Sequence, residues 1–185
     1  MTTRREQILD TAAELFAARG FHGVSVADIG EACGISGPAL YKHFAGKEDL
    51  LAQTLTSISE RLLSEGRRRR AEAADPAAAL DALIAWQVEF ALTHPALIVV
   101  QDREWTTLSD NSRRAVRELQ LAYIDEWVEV LRQVRPTLDP ASARAAAQAA
   151  FGLINSTPRS ARISSAGMAR LLSSMARAAL LAADA

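Results

Sequence analysis

Between residues 4 and 19 the apolar side chains Ile8, Ala12, Leu15 and Phe16 fall at i, i+4, i+7 and i+8. That is the single stripe of an amphipathic helix. Gly20 follows it and predicts a left-handed cap. Ser25 and Asp28 stand three residues apart, the spacing at which each side chain can reach the other's unpaired N–H. They predict a second helix with Val26, Ile29 and Ala32 facing inward, stopped after two turns by Gly34. Ser36 can cap a third short helix, with Pro38 in its first turn, where a missing N–H removes no bond. Leu40 and Phe44 are its inward anchors. After Ala45-Gly46 the helical period resumes through Leu50, Leu51, Leu55, Ile58 and Leu62 and runs past Arg70.

Asp75-Pro76 is a cap followed by a first-turn proline and opens a fifth helix carrying Leu80, Leu83, Ile84, Phe90 and Leu92. His94-Pro95 breaks it and starts a shorter one. Val116, Leu119, Tyr123, Trp127 and Leu131 mark a long helix from about residue 111 to 134, which Pro136 ends. Asp139-Pro140 repeats the cap signal for an alanine-rich helix reaching Ile154. The polar stretch 155–165, with Pro158 in it, predicts a loop. Met168, Leu171, Leu172, Met175, Ala179 and Leu180 form the stripe of a last helix. No segment alternates with the period of a strand. The pattern predicts an all-α chain of nine helices, a three-helix head over residues 1–46 and a six-helix body over residues 47–185.

Composition narrows the class. The chain has 185 residues, 49% of them hydrophobic and many of those alanine, the strongest helix former. One cysteine cannot form an internal disulfide, which fits a reducing compartment. No apolar run approaches the roughly 18 residues of a membrane span, and no apolar segment follows Met1-Thr2-Thr3-Arg4-Arg5 as in a signal peptide. The expectation is a soluble cytoplasmic protein without a membrane partner. Net charge is −1, and residues 1–50 carry five basic against seven acidic side chains. Nucleic-acid binding must therefore rest on where charges sit. The only two lysines, Lys42 and Lys47, lie close together in that stretch.

Two short helices joined by Ala32-Cys33-Gly34-Ile35-Ser36 have the proportions of a helix-turn-helix. Its second helix would present Ser36, Gly37, Pro38, Ala39, Tyr41, Lys42 and His43 to a DNA groove. The small residues allow close backbone approach, and the phenol, ammonium and imidazole suit phosphates. Lys47 adds charge at the start of the next helix, where backbone N–H groups favour an anion. The run RREQILDTAAELFAARGFHGVSVADIGEACGISGPALYKHFAGKEDLL resembles the TetR family of bacterial transcriptional regulators. Its carriers are the 16–20 helix end, Gly23-Val24-Ser25-Val26, Ile29-Gly30-Glu31-Ala32, Gly34-Ile35-Ser36, Leu40-Tyr41-Lys42-His43-Phe44 and Lys47-Glu48-Asp49-Leu50-Leu51. The resemblance adds Arg4, Ser25 and Val26 to the expected DNA contacts. Two positions depart from it. Gly46 replaces the serine usual before the fourth helix, weakening that cap by a few tenths of a kcal/mol. Gly37 stands where many relatives have a basic or larger residue.

The body shows no catalytic or metal constellation. His22, His43 and His94 lie on separate elements, and no phosphate loop or nucleophile elbow is present. No enzyme activity and no cofactor are expected. Residues 67–70, four arginines, point around a helix rather than along one face. They read as solvated charges at a helix end, with Asp125, Glu126 and Glu129 as a separate exposed face. The resemblance implies a ligand cavity in the body, for which Trp86, Phe90, Trp105, Tyr123 and Trp127 are natural walls and Gln87, Arg103, Glu104 and Asn155 orienting groups. Arg103 has two candidate partners: a ligand's carboxylate or phosphate, and the neighbouring Asp102 or Glu104.

The resemblance further implies a homodimer reading a palindromic operator, with recognition helices about 34–36 Å apart. Ala146 and Ala150 on the eighth helix and Leu171, Leu172, Met175 and Ala179 on the last would form its interface. The expected function is a ligand-responsive regulator, a repressor released from its operator by a small molecule. An amphipathic acid or acyl thioester would suit apolar walls and Arg103. The competing reading is a helical small-molecule or partner-binding protein with a decayed head.

Overall fold

The computed structural model describes residues 3–182. Residues 1–2 and 183–185, the outer ends of the two expected domains, and the side chain of Gly37 lie outside the described residues. The elements in chain order are α1 (Arg4–Arg19), α2 (Val26–Ala32), α3 (Gly37–Leu40), α4 (Lys47–Glu72), α5 (Pro76–Thr93), α6 (Pro95–Glu104), a 3-10 turn (Trp105–Thr107), α7 (Asp110–Val134), α8 (Pro140–Ile154), α9 (Thr157–Ser160) and α10 (Ser165–Leu181). Among the described residues there is no strand, and no single helix is long and apolar enough to cross a membrane.

Local signals account for most boundaries. Ser25 and Asp28 form a complete capping box, and Thr3 and Glu6 form a second one at α1. Asp75 accepts from the Ala78 N–H at 2.8 Å, and Asp139 accepts from Ala141 and Ser142 at 2.9 and 3.1 Å. α2 ends in a Schellman motif. The Ile35 N–H reaches the Gly30 carbonyl at 2.9 Å and the Gly34 N–H reaches Glu31 at 3.0 Å, with Gly34 at φ +66°.

Three expectations change. Gly20 does have a positive φ of 77°, but its ψ of 158° is extended, so it breaks α1 without forming a left-handed helical cap. α3 is a single turn, and Tyr41–His43 continue as a tighter turn, with Lys42 and His43 N–H groups bonded three residues back. The expected loop 155–165 contains α9. Thr157 is buried there and donates to the Ala91 carbonyl at 2.9 Å, and Pro158 occupies the first turn.

The chain forms two compact units: Met1–Ser59 with Ala96–Arg117, and Glu60–Pro95 with Glu118–Ala185. The expected boundary at residue 46 therefore falls inside the first unit. There Ile8, Phe16, Phe21, Ile29, Leu40 and Phe44 share one core with Leu50, Leu51 and Leu55 of α4, and with Val100, Leu108 and Val116. A three-helix head is too small to bury these side chains alone.

In the second unit α10 packs on α5 and α8, and α5 also meets α8. Its core includes Leu80, Leu83 and Ile84 of α5, Trp127, Val130 and Leu131 of α7, and Ala143, Ala147 and Ile154 of α8. Gly66 lets α4 approach Tyr123: a Cβ at that position would lie 2.6 Å from the ring's Cε2.

Candidate nucleic-acid interface and ligand core

In the first unit, Leu40 and Phe44 are sunk into the core, 1% and 2% exposed, and fix the end of the helix-turn-helix. The residues between them are turned outward. Tyr41 is 57% exposed, and Lys42 and His43 are exposed beside it. Ser36 and Pro38 are also exposed, Ala39 is half-buried, and Gly37 opens α3. The phenol, ammonium and imidazole lie on three consecutive exposed positions, one buried residue beyond the small-residued start of α3.

Other expected contacts have partners inside the unit. Ser25 is taken up by the capping box, where its hydroxyl and N–H hold the Asp28 carboxyl below the usual carboxylate range. Val26, the first residue of α2, is half-buried and packs against the core. Arg4 donates to the Cys33 carbonyl and, at 3.2 Å, to Gln7, so it braces the end of α2. Lys47 donates to the carbonyls of Phe21 and Val24, both at 2.8 Å, with its ammonium 4.3 Å from the Phe21 ring centroid. The missing serine at Gly46 is partly made good by Asp49, whose carboxylate reaches back to the Ala45 N–H at 2.8 Å.

The expected ligand-site residues divide. Arg103 and Trp105 belong to the first unit, and Trp86, Gln87, Phe90, Tyr123, Trp127 and Asn155 to the second. Of Arg103's two candidate partners the neighbour is the one present. Arg103 Nε meets Glu104 at 2.9 Å, and its Nη2 serves the carbonyls of Phe16 and Ala17 at the end of α1. A cation is at home against those C-terminal carbonyls. Arg103 thus braces the end of α1, and half-buried Trp105 packs against the first unit's core.

The second unit gathers the rest around one face of α8. Phe151 lies 5.6 Å from Tyr123 and 4.8 Å from Trp127, centroid to centroid, and Tyr123 meets Trp127 edge-on. One turn on, Asn155 accepts from Gln87 Nε2 at 2.9 Å. Four buried polar atoms of this unit make no well-formed hydrogen bond: Gln87 Oε1, Gln120 Nε2, and Tyr123 OH and Trp127 Nε1, which lie beside each other. Each such group costs about 1–3 kcal/mol if left so, and native interiors contain few. Burial pushes the Tyr123 hydroxyl's pKa well above its ordinary value, with the Trp127 indole N–H and Arg69 opposing weakly. Gln120 and Phe151 were not anticipated. The spacing 120, 123, 127 does place three side chains on one helical face, and 151 and 155 pair in the same way.

Two expected walls have structural partners. Trp86 donates to the Leu62 carbonyl at 3.2 Å, with the guanidiniums of Arg61 and Arg69 5.8 and 4.7 Å from its ring. Phe90 stacks on His94 at 5.3 Å. All four arginines of the run 67–70 are ion-paired, with Arg67 and Arg68 still more than half exposed to solvent. Arg67 and Arg70 hold Glu126, Arg70 also holds Glu129, Arg69 bridges Glu65 and Glu89, and Arg68 bridges Glu65 and Glu72. Arg68 and Arg69 hold the Glu65 carboxyl down to about 2.

The expected dimer set also divides. Leu172 and Ala150 are 3% and 1% exposed and point into their own unit, because α10 packs there against α5 and α8. Ala146 is half-buried, whereas Leu171, Met175 and Ala179 follow one another along the exposed side of α10. On α8 the outward small residues are Ala145, Ala149 and Gly152.

A packed helix-turn-helix with an exposed polar end, followed by a second helical unit, matches two family descriptions in turn. The family described as "Bacterial regulatory proteins, tetR family" matches residues 8–54, and "Tetracyclin repressor-like, C-terminal domain" matches residues 73–159. The chain belongs to the TetR family. It is 33% identical over 129 residues to the HTH-type transcriptional repressor KstR2 of Rhodococcus jostii, an alignment covering 69% of this chain and 63% of that relative. The chain thus matches a little under two thirds of that relative's length. A TetR-family transcriptional regulator from Bordetella parapertussis superposes with a TM-score of 0.81 over 93% of each chain at 26% identity. AibR, solved with isovaleryl coenzyme A and operator DNA, shares the fold at a TM-score of 0.74 and 22% identity, over 94% of this chain and 97% of its own.

Proposed function

We propose that the chain is a cytoplasmic homodimeric repressor that reads a palindromic operator with α2 and α3 and leaves it when a small molecule enters the second unit. The observation that carries the DNA reading is the outward Tyr41-Lys42-His43 segment held between buried Leu40 and Phe44. Those three, with Ser36, Gly37, Pro38 and Ala39, form the contact surface, and residues 1–46 are the DNA-reading part. Residues 47–185 carry ligand binding and dimerisation, the latter through Leu171, Met175 and Ala179. α4 begins in one compact unit and ends in the other, so a ligand that displaces it would alter the spacing of two heads. A coupling of about 1–3 kcal/mol would lower operator affinity about 5- to 150-fold.

The unpaired polar atoms around Phe151 favour a mostly apolar effector with an uncharged oxygen function. The carbonyl of an acyl thioester is one such function, and AibR was solved with a ligand of that class. The bonds of Arg103 to Glu104 and to the α1 carbonyls favour the thioester over an acidic head group. Selection of bound fragments from random DNA, followed by a screen of acyl thioesters for release of the selected fragment, tests both halves. A chain that enriches no sequence would instead be a binding protein with a decayed head.

A further inference from the structure

The turn between α1 and α2, residues 20–25, carries the backbone straight into the Ser25 cap and so sets the direction in which α2 leaves. Its backbone groups are held by side chains from outside the helix-turn-helix. Glu104 Oε1, at the end of α6, accepts from the Phe21 N–H at 3.1 Å. Lys47 Nζ, at the start of α4, donates to the Phe21 and Val24 carbonyls. Arg103 bonds Glu104 at 2.9 Å and also holds the Phe16 and Ala17 carbonyls one turn earlier, tying Glu104 to the end of α1. The peptide bonds on both sides of Phe21 are thereby held by charged groups, one through its N–H and the other through its carbonyl, and Phe21 and Val24 are themselves 3% and 1% exposed.

Glu104 is 6% exposed, and the Arg103 guanidinium and the Phe21 N–H stand at its carboxylate in place of water. The bonds are to backbone atoms, so they fix where the chain runs rather than which residues it carries. Removing them frees the direction of α2, and with it α3, which packs on α2.

We propose that Lys47, Arg103 and Glu104 are positioning residues for DNA reading: together they hold the 20–25 turn, and through it the helix-turn-helix, in the orientation that fits the operator. This rests on the reading of α2 and α3 as the DNA-binding pair. It gives Lys47 a role distinct from phosphate contact. It also makes operator affinity depend on the last turn of α6, which lies outside the DNA-binding motif.

The two roles leave different signatures. A phosphate contact contributes to every DNA and to the salt dependence, whereas a misaimed motif loses sequence-specific binding alone. The test uses the full chain, with a fragment enriched by the wild type from random DNA and a scrambled control, titrated across a salt series. Lys47→Met and Arg103→Met should each weaken operator binding by about tenfold or more, equivalent to about 1.4 kcal/mol. Binding to the scrambled fragment should change less than twofold and the salt slope should stay as in wild type. Lys47→Arg, which can still donate to both carbonyls, should restore part of the discrimination. If Arg103→Met does not fold by circular dichroism, Glu104→Gln carries the same expectation.

Equal losses on both DNAs with a slope lower by about one unit would overturn the assignment of Lys47. Unchanged operator affinity in folded Arg103→Met or Glu104→Gln would overturn the positioning role of α6. Failure of the wild type to enrich any sequence counts against the DNA-binding reading itself, and so is distinguishable from both.

Discussion

Replacing Tyr123 by phenylalanine should stabilise the ligand-free protein and weaken its effector, two effects of opposite sign from one oxygen atom. The ring is 4% exposed, and its hydroxyl makes no well-formed hydrogen bond, with only the Trp127 indole N–H acting on it as a donor. Phenylalanine keeps the ring contacts with Trp127 and Phe151 and removes only the unpaired group. An unpartnered buried hydroxyl costs about 1–3 kcal/mol, and the nearby indole N–H argues for the lower end. The variant should therefore gain about 1 kcal/mol, worth about 2–4 °C in Tm for a chain of this length. Urea unfolding at fixed protomer concentration measures it, since dissociation would otherwise shift the midpoint, and an unchanged m-value shows that the same transition is compared. A thioester that uses the hydroxyl should bind about 2- to 10-fold more weakly, the equivalent of one ordinary hydrogen bond. A variant less stable by 1 kcal/mol or more, at equal m, would mean that the hydroxyl is paired in the folded protein, and the ligand argument built on it would fail.

Three further outcomes can be checked directly. Leu171→Glu and Met175→Glu should give monomers with intact helical content by sedimentation and circular dichroism, whereas Leu172→Glu, placing a charge in its own protomer's core, should unfold the chain; a folded Leu172→Glu monomer would return that residue to the interface. Lys42→Ala should weaken operator and scrambled DNA alike and reduce the salt slope by about one unit, and an unchanged slope would remove it from the phosphates. Glu65 has a folded pKa of about 2 against an ordinary 4.5, so its contribution is complete above about pH 4.5 and is lost as pH falls toward 2. Glu65→Gln should accordingly flatten the acid limb of the urea-midpoint profile, and parallel profiles would show that the paired arginines add nothing through it.

What could be read from the sequence was what neighbouring residues decide. Ser25–Asp28, Asp75-Pro76 and Asp139-Pro140 mark helix starts because a cap involves only the next three residues. The exposed Tyr41-Lys42-His43 segment followed from its place between Leu40 and Phe44. Partners far along the chain stayed hidden. Nothing near Arg103 announces carbonyls 86 and 87 residues earlier, and nothing near the arginine run names Glu126 and Glu129. The α10 error has another origin. Leu171 and Leu172 are equally apolar, and periodicity reports that a helix has a buried side without saying whether its own chain or a second copy covers it. Aromatic scarcity did direct attention to the three tryptophans, but it could not assign Trp105 to a different unit from Trp86 and Trp127.

That distribution of tryptophans gives the molecule a set of distinguishable optical labels. Trp127 is sealed from solvent with an unbonded N–H, conditions under which indole emits at short wavelength. Trp86 sits beside two guanidiniums, whose charges perturb its excited-state dipole, while half-buried Trp105 emits further to the red. A disturbance of the α8 core would register at the blue edge of the spectrum, and one in the first unit at the red edge. Changes in the two units can therefore be timed separately in the unlabelled protein, and the order in which they occur becomes a measurable quantity.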